Sequence, residues 1–356
     1  MSEAAPPDII VGVDTHKQTH AAVAITELGA RLAELTIPVD TAGYRALEAW
    51  ACSLGKVRAF GVEGTGSYGA GLSRFLCEKG HVVHEVARPD RGLRHRQGKT
   101  DYLDAENAAR TLLSGQAAAV PKSGTSEVEM IRHLKIARDT AVKARTQAML
   151  TLKSIIVSAP AALREQLEAI TGRMALLRHL AALRPGALTT TLVSAKVSLR
   201  AIARRWLALD AEIKSYDVHL EQLTRSCAPT MVDAHGIGAR TAAEMLILVG
   251  DNPERIHSEA ALAKLCGVCP IPASSGKTSR YRLNRGGHRQ ANAALHRVVV
   301  VRMRGHKPTT DYVKRRRNEG KSKPEIIRCL KRFVAREIFG YLCRTPGPAH
   351  REKVAA

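Results

Sequence analysis

Four carboxylates occupy positions from which one N-terminal domain could bring them together. Asp14 and Glu63 each end a short apolar run flanked by glycine, which is the pattern of a buried strand that carries a polar residue to the edge of a sheet. Asp101 and Asp104 stand three residues apart at the start of a predicted helix, so both project from one face, and Thr100 is a candidate N-cap. A lone Asp after a strand is more often a turn residue, but acids are few in this basic chain. Because Mg²⁺ prefers carboxylate oxygens beside substrate phosphates, we predict a Mg²⁺ site for phosphodiester chemistry, with one or two ions, at Asp14, Glu63, Asp101 and Asp104.

The elements around these acids predict an α/β domain over residues 8–120. The predicted strands are Ile9–Val13, His20–Thr26, Arg31–Pro38, Val57–Val62 and His81–Ala87, and the predicted helices are Tyr44–Leu54, Tyr68–Lys79 and Leu103–Ser114. Three strands in a meander, followed by alternating helix and strand, is the order of a ribonuclease H-like fold. That fold commonly gathers acids from its first and fourth strands and its last helix.

A long helical segment is predicted over residues 125–226, after a linker at Val120–Gly124. Two series of residues recur at alternating spacings of four and three, which is typical of a coiled-coil seam. The first comprises Met130, Leu134, Ala137, Ala141, Ala144, Ala148, Thr151 and Ile155, and the second comprises Leu192, Ala195, Leu199, Ile202, Trp206, Leu209, Ile213, Tyr216, Leu220 and Leu223. The two seams are expected to pair with each other or across a homodimer, and a helical bundle without an oligomeric role is the alternative.

The C-terminal part, residues 228–345 before a tail at 346–356, combines a glycine turn with dense positive charge. The stretch His235–Ala242 resembles the hairpin of a helix-hairpin-helix, in which Gly236 and Gly238 would let backbone amides approach a phosphate. Residues 277–337 hold 19 Lys or Arg against four acids, a net +15 of the chain's +22. Such density predicts salt-sensitive contacts with nucleic-acid phosphates. The candidate contacts are Gly236, Gly238, Lys277, Arg280, Arg282, Arg285, Arg289, Arg315, Arg316 and Arg317.

Composition narrows the class of protein further. A chain of 356 residues with a net charge of +22 and a pI near 10.1 is expected to bind a polyanion, and nucleic acid is the default. Its seven cysteines are scattered and odd in number, which predicts reduced thiols, and Cys266 and Cys269 are expected to pack rather than to bind a metal. The first residues lack the pattern of a signal peptide, and the longest aliphatic block, Val298–Val301, is too short to cross a bilayer. We therefore expect a cytoplasmic protein that works on the nucleoid.

Several motifs in order resemble one known family. Asp14-Thr-His-Lys, Glu63-Gly-Thr-Gly-Ser-Tyr and Lys99-Thr-Asp-Tyr-Leu-Asp-Ala are similar to the DEDD motif of insertion-sequence family one-ten, whose members are bridge-RNA-guided transposases or recombinases related to Piv-type DNA invertases. His235-Gly-Ile-Gly-x-x-Thr-Ala, Gly267-Val-Cys-Pro, Ser274-Ser-Gly and Arg285-Gly-Gly-His resemble the C-terminal transposase domain of that family. The resemblance runs from about Ile9 to Leu342, and the combination of motifs is more specific than any one of them.

The resemblance implies a fold class, a chemistry and a set of partners. The fold class is α/β plus α: a RuvC-like N-terminal domain, coiled-coil dimerisation helices and a helical C-terminal transposase domain. The activity is cutting and rejoining of donor and target DNA through a serine nucleophile, with Mg²⁺ at the acids, by dimers that assemble as tetramers on DNA. A structured noncoding bridge RNA would pair with both DNAs. Ser275 best matches the nucleophile, and the tandem Ser274-Ser275 leaves the choice between the two open.

Three other functions compete with this interpretation. A RuvC-like metal-dependent nuclease or resolvase would cut DNA with water and leave no covalent protein adduct. An actin-like sugar kinase also opens with a strand, an Asp and a glycine-rich turn, but the later half of this chain has no second phosphate loop. A non-catalytic RNA- or DNA-binding protein would use the basic C-terminal part and would keep its full activity without Asp14.

Overall fold

The computed structural model describes residues 7–86, 100–115, 119–277 and 281–343. The chain divides into two compact units, which we call the N-terminal unit (residues 1–124 with 250–255) and the helical unit (residues 125–249 with 256–356). The division after residue 124 coincides with the predicted linker, and the further predicted division at residues 226–228 stays a prediction. No helix in the described ranges is both long and apolar enough to cross a membrane.

The N-terminal unit is built on a five-stranded sheet with the strand order β3-β2-β1-β4-β5. Its strands are β1 (Asp8–Thr15), β2 (Thr19–Thr26), β3 (Arg31–Pro38), β4 (Lys56–Glu63) and β5 (Val83–Val86). The first three strands form an antiparallel meander, whereas β1 pairs with β4, and β4 with β5, in parallel. This order is compatible with the predicted ribonuclease H-like domain, and all five predicted strands are present. The predicted end of the last strand, Ala87, lies outside the described residues.

Helices cover both faces of this sheet, as the apolar strands β1 and β2 require. The helices α1 (Thr41–Leu54) and α2 (Ala70–Glu78) share one hydrophobic core with the sheet, and α3 (Asp101–Leu113) closes the other face. Paired glycines on β1 and β4, Gly12 and Gly61, lie under α3. A methyl group on Gly12 would lie 2.0 Å from the carbonyl oxygen of Ala105, so α3 packs directly on the strand backbone there.

Two long helices dominate the first half of the helical unit. They are α4 (Glu127–Ser158) and α7 (Thr191–Cys227), and the shorter α5 (Ala161–Glu168) and α6 (Arg173–Ala182) connect them. The long helices pack against each other in antiparallel orientation, since Arg138 binds Asp217 (Nε–Oδ1, 2.6 Å) and Arg145 binds Asp210 (Nη1–Oδ1, 2.5 Å). The two long helices thus pair within one chain, and the pairing of the predicted seams as a coiled coil stays a prediction.

The seam predicted on the first of these helices agrees with the observed burial at some positions only. Ala141 and Ala148 are buried, and Leu134, Ala137, Thr151 and Ile155 are half-buried. Met130 and Ala144 are exposed, whereas Ile131, Arg138 and Leu152 are buried. The ion-paired Arg138 is buried one position beyond the predicted Ala137, because Asp217 on α7 offers it a partner. Each member of the second predicted seam is buried or half-buried.

The second half of the helical unit packs its helices around one core. Its helices are α8 (Pro229–Asp233), α9 (Ala239–Val249), α10 (Glu259–Leu265), α11 (Arg289–Gly305), α12 (Lys307–Asn318) and α13 (Lys323–Leu342). Cys266 is buried in this core, as predicted, and its burial raises the pKa of the thiol to about 12. A small hairpin of β6 (Ile271–Pro272) and β7 (Tyr281–Arg282) interrupts the helices.

Candidate active site

The register of the sheet places two of the predicted acids side by side. Val13 on β1 pairs with Val62 on β4 in parallel, so the next residues, Asp14 and Glu63, lie at the same end of adjacent strands. Both side chains are buried, with 7% and 4% of their surface exposed. The hydroxyl of Thr15 donates to the carbonyl oxygen of Glu63 over 2.9 Å and ties the two strand ends together.

The first turn of α3 brings the other two acids to this end of the sheet. Thr100 caps the helix, since its Oγ1 accepts a hydrogen bond from the backbone N–H of Leu103 over 3.2 Å, as the sequence predicts. Asp101 is exposed at the helix start, and Asp104 is 4% exposed and faces inward. Both carboxylates are close enough to Asp14 to influence its ionisation.

A histidine that the sequence analysis did not select completes the cluster. One possible ligand atom from each of Asp14, His16 and Asp101 lies within 4.8 Å of the other two. In the described ranges, no other three His, Cys, Asp or Glu side chains come this close together. His16 Nδ1 is 3.7 Å from Asp14 Oδ2, and its Nε2 is 3.8 Å from Asp101 Oδ1. The Asp-x-His spacing was the available signal, because alternate residues at a strand end share one face. Glu63 and Asp104 adjoin this cluster but do not belong to it.

The electrostatics of the cluster suit a divalent cation. Burial raises the pKa of Asp14, His16 lowers it, and the Asp104 and Asp101 carboxylates raise it further, so that the pKa lies above its ordinary value. A buried carboxylate among other carboxylates gains from a cation that offsets their mutual repulsion. The donor set of carboxylate oxygens and an imidazole nitrogen therefore fits a divalent metal ion, which Asp14, His16 and Asp101 would hold.

The predicted nucleophile lies in the helical unit, in the loop of the β6–β7 hairpin. Ser274 and Ser275 are both exposed, and Gly276 follows with a positive φ of 53°, a conformation that glycine adopts without strain. Lys277 is exposed on the same loop, and Arg280 lies outside the described residues.

The predicted nucleic-acid contacts of the helical unit occupy several places. Gly236 turns the chain between α8 and α9 with a φ of 82°, and the following Gly238 is exposed. Arg282 and Arg316 line a cleft. The remaining predicted contacts are exposed at the surface: Arg285, Arg289, Arg315 and Arg317.

Some cations of the basic stretch are structural instead. Arg302 is buried, where it donates to both carboxylate oxygens of Glu337 and to the carbonyl oxygen of His235. It therefore holds the glycine turn against the helices α11 and α13. Arg336 on the last helix pairs with Glu259.

Comparison with known proteins agrees with this arrangement. A family model described as a DEDD transposase of the IS110 type matches residues 11–159, which include the four acids and His16. A second model, described as a transposase of the IS116/IS110/IS902 family, matches residues 231–314, which include Ser275 and the glycine turn. Between them the two models cover more than half of the chain.

Two curated relatives come from insertion elements. An uncharacterized 43.6 kDa protein of insertion element IS110 from Streptomyces coelicolor is 30% identical over 158 residues, which are 44% of this chain and 38% of that protein. An uncharacterized 42 kDa protein of IS900 from Mycobacterium paratuberculosis is 28% identical over 134 residues, 37% of this chain and 34% of that protein. The matches thus span less than two fifths of either relative. Together with the two family models, they show that the chain belongs to the IS110 family of transposases.

Proposed function

We propose that this protein is a DNA transposase, and that the acids of its N-terminal unit take part in cutting and rejoining DNA. The observation that carries the proposal is the cluster of Asp14, His16 and Asp101 at the end of a sheet of ribonuclease H-like order. Its position inside the region that the DEDD family model matches supports the same role. Asp104 and Glu63, buried beside the cluster, complete the RuvC-like acidic site that we propose.

The proposed metal is Mg²⁺, and the residues of this chain have separate roles toward it. Asp14, His16 and Asp101 would hold the ion, while Asp104 and Glu63 would add negative charge next to it. A bound Mg²⁺ supplies positive charge that stabilises a phosphodiester as it gains charge in reaction. Thr100 and Thr15 position the acids, since one caps the helix that carries Asp101 and the other joins the two strand ends.

We further propose that Ser275 is the nucleophile. The Oγ of Ser275 would attack the scissile phosphorus and lose its proton. A serine–phosphate bond forms and the bond from phosphorus to one sugar oxygen breaks. That oxygen takes up a proton and leaves as a hydroxyl. In rejoining, a sugar hydroxyl attacks the same phosphorus and the serine hydroxyl is restored. The exposure of Ser275 at a hairpin tip in the second family-matched region supports this role.

The proposed partners are donor DNA, target DNA, a structured bridge RNA and a second copy of the chain. Positive charge concentrated in residues 277–337 supports nucleic-acid binding, and the exposed glycine turn at Gly238 offers backbone amides to a phosphate. Dimerisation is supported by Ile136, Leu150 and Val157 on α4, which are 54%, 58% and 68% exposed at spacings of fourteen and seven. Tetramers on DNA would be pairs of such dimers.

Strand transfer with purified protein, the cognate RNA and both DNAs tests the proposal. Asp14→Ala and Ser275→Ala should abolish product, whereas Ser274→Ala, the matched control beside the nucleophile, should retain it. Trapped reactions of the unmodified protein should show a protein–DNA adduct on denaturing gels. Full activity of Ser275→Ala, or cleavage without any adduct, would favour a nuclease that uses water instead.

A further inference from the structure

A cleft of about 810 Å³ opens in the helical unit, apart from the residues given a catalytic role above. The turn at Gly267–Pro270, the strand β7 and the helices α12 and α13 form its walls. The strand β7 is one arm of the hairpin whose loop carries Ser275, and its Tyr281 pairs with Pro272 across the hairpin. A molecule in this cleft would therefore touch the hairpin itself.

Exposed aromatic rings stand at the cleft. Tyr281 and Phe333 are 68% and 46% exposed, although large aromatic side chains usually gain from burial. The ring of Tyr312 supports Phe333 edge-on, with the ring centres 5.4 Å apart and the planes at 90°. Phe333 held in this way, and the exposed ring of Tyr281, offer apolar faces on which another aromatic ring can stack.

A buried lysine contributes to the lining of the same cleft. Lys331 is 8% exposed and donates from Nζ to Oδ1 of Asn292 over 2.7 Å, and Asn292 in turn donates to the carbonyl oxygens of Cys266 and Gly267. Within the described ranges no carboxylate lies within 4.0 Å of this ammonium group. Burial and the nearby Arg328 lower the pKa of Lys331. A buried cation held only by a neutral amide favours an anionic ligand.

Two arginines leave donors free at the cleft. Arg316 and Arg332 use one nitrogen each for Glu319 and Glu259, but Arg316 Nε and Arg332 Nη1 are buried without an acceptor among the residues that the structure describes. An unsatisfied buried donor is costly, and a phosphate oxygen would satisfy it once the guanidinium group turns toward the cleft. The acid Glu325 also lines the cleft, and its carboxylate is occupied at the start of α13 by the backbone N–H and hydroxyl of Ser322.

We infer that this cleft binds an unpaired nucleotide of a nucleic-acid strand, with the base against Tyr281 and Phe333 and the phosphate at Lys331, Arg316 and Arg332. The aromatic faces require an unstacked base, which a single strand or an extruded nucleotide offers and an intact duplex does not. Phosphate and base are bound by different parts of one cleft, which matches the chemistry of a nucleotide better than that of an acidic peptide. The inference rests on the proposed function, and it names single-stranded DNA or RNA beside the serine hairpin as the bound substrate.

Fluorescence anisotropy with the full chain in EDTA tests the inference without strand transfer. The probes are a labelled single-stranded DNA, the same sequence as RNA, and the blunt DNA duplex. Tyr281→Leu and Phe333→Leu should each weaken single-strand binding on the order of tenfold and change duplex binding little, because stacking on one aromatic ring is lost. The matched variants Tyr281→Phe and Phe333→Tyr, which keep the rings, should bind as the unmodified protein does. The ratio of DNA to RNA affinity identifies which strand the cleft prefers.

The phosphate contact has its own test. Lys331→Met should weaken single-strand binding. It should also make the slope of log affinity against log salt concentration shallower by about one released ion. Lys153→Met, an exposed lysine on α4, is the control of equal charge change. Because Lys331 is buried, circular dichroism must first show that the variant is folded. If it is not, the test is cross-linking of the unmodified protein to a 5-bromouracil strand, which should modify peptides that contain Tyr281 or Phe333.

Three results would overturn the inference. The leucine variants could bind the single strand as tightly as the unmodified protein does, or lose duplex and single-strand binding equally. Free AMP could compete as well as the oligonucleotide, which would indicate a site for a small nucleotide. None of these results would bear on strand transfer by the acids and Ser275. Conversely, Asp14 or Ser275 variants that lose strand transfer should still bind the single strand in EDTA.

Discussion

The imidazole Nδ1 of His16 lies 3.7 Å from the carboxylate Oδ2 of Asp14, at the end of the central strand of the sheet. The same ring reaches Asp101 on α3 with its other nitrogen. One side chain thus links the strand that carries the most buried member of the cluster to the helix that carries the most exposed one.

Metal ions should stabilise the protein through this cluster. Mg²⁺ at about 100 times its Kd should raise the free energy of unfolding by about 2.7 kcal/mol, because the ion binds the folded chain only. Thermal unfolding with Mg²⁺ and with EDTA measures the difference, and Asp14→Asn should lose it. Glu168→Gln, which changes an exposed carboxylate on α5, is the control and should keep the full shift. An equal shift in Asp14→Asn would place the ion elsewhere.

Asp14→Asn should also stabilise the metal-free protein. Burial and the neighbouring carboxylates disfavour the charge of Asp14, and asparagine removes that charge at nearly constant volume. We expect a gain of about 1 kcal/mol in EDTA, together with loss of activity. Urea unfolding in EDTA measures it. A destabilised Asp14→Asn variant would mean that the carboxylate is well compensated without a metal.

His16 should affect metal preference more than metal binding as such. Imidazole suits Zn²⁺, whereas carboxylates suffice for Mg²⁺. His16→Gln should therefore lower the affinity for Zn²⁺ more than that for Mg²⁺, each measured by titration calorimetry. Equal losses for the two ions would indicate that His16 acts by positioning Asp101 and Asp14 and does not bind the metal.

Gly12 and Gly61 should differ in their tolerance of alanine. A methyl group on Gly12 would lie 2.0 Å from the carbonyl oxygen of Ala105 and 2.4 Å from the amide nitrogen of Ala109, and one on Gly61 would lie 3.2 Å from the carbonyl oxygen of Ala108. Gly12→Ala must push α3 off the sheet, which should cost about 3 kcal/mol or more and move Asp101 away from Asp14. Gly61→Ala should cost less and keep metal binding. Urea unfolding and metal titration of both variants compare them.

The ion pair between Glu337 and Arg302 should make stability depend on pH. Burial would raise the pKa of Glu337, but the hydrogen bonds and charge of Arg302 outweigh burial, and the pKa lies below its ordinary value of 4.5. A carboxyl of this kind stabilises the fold above pH 4.5 and loses that contribution as the pH falls through its lower folded value. Glu337→Gln should be less stable at pH 7 by about 2 kcal/mol and should lose less on acidification. Parallel pH profiles for the two proteins, measured by urea unfolding from pH 7 to 3, would contradict this.

Much of the N-terminal unit follows from local signals in the chain. Its strands alternate with turns at glycines, and their apolar runs predict a sheet that is covered on both faces. The order of the elements, and the strand ends that carry Asp14 and Glu63, could therefore be predicted. The cap at Thr100 was predictable for the same reason, because capping depends on residues three apart. The sequence also determined the basic stretch and the family motifs, which are properties of composition and order.

Tertiary structure decided which side chains meet. His16 joins the cluster because the start of α3 packs beside the end of β1, a contact between residues some 85 positions apart that no local pattern contains. Arg138 is buried on α4 because Asp217 on α7 offers it a partner, and the periodicity of one helix takes no account of such a partner. The cleft at Tyr281 and Lys331 likewise arises only when β7 and α13 pack together. Local periodicity reflects the preference of each segment for helix or strand, whereas long-range packing determines which polar groups are buried together.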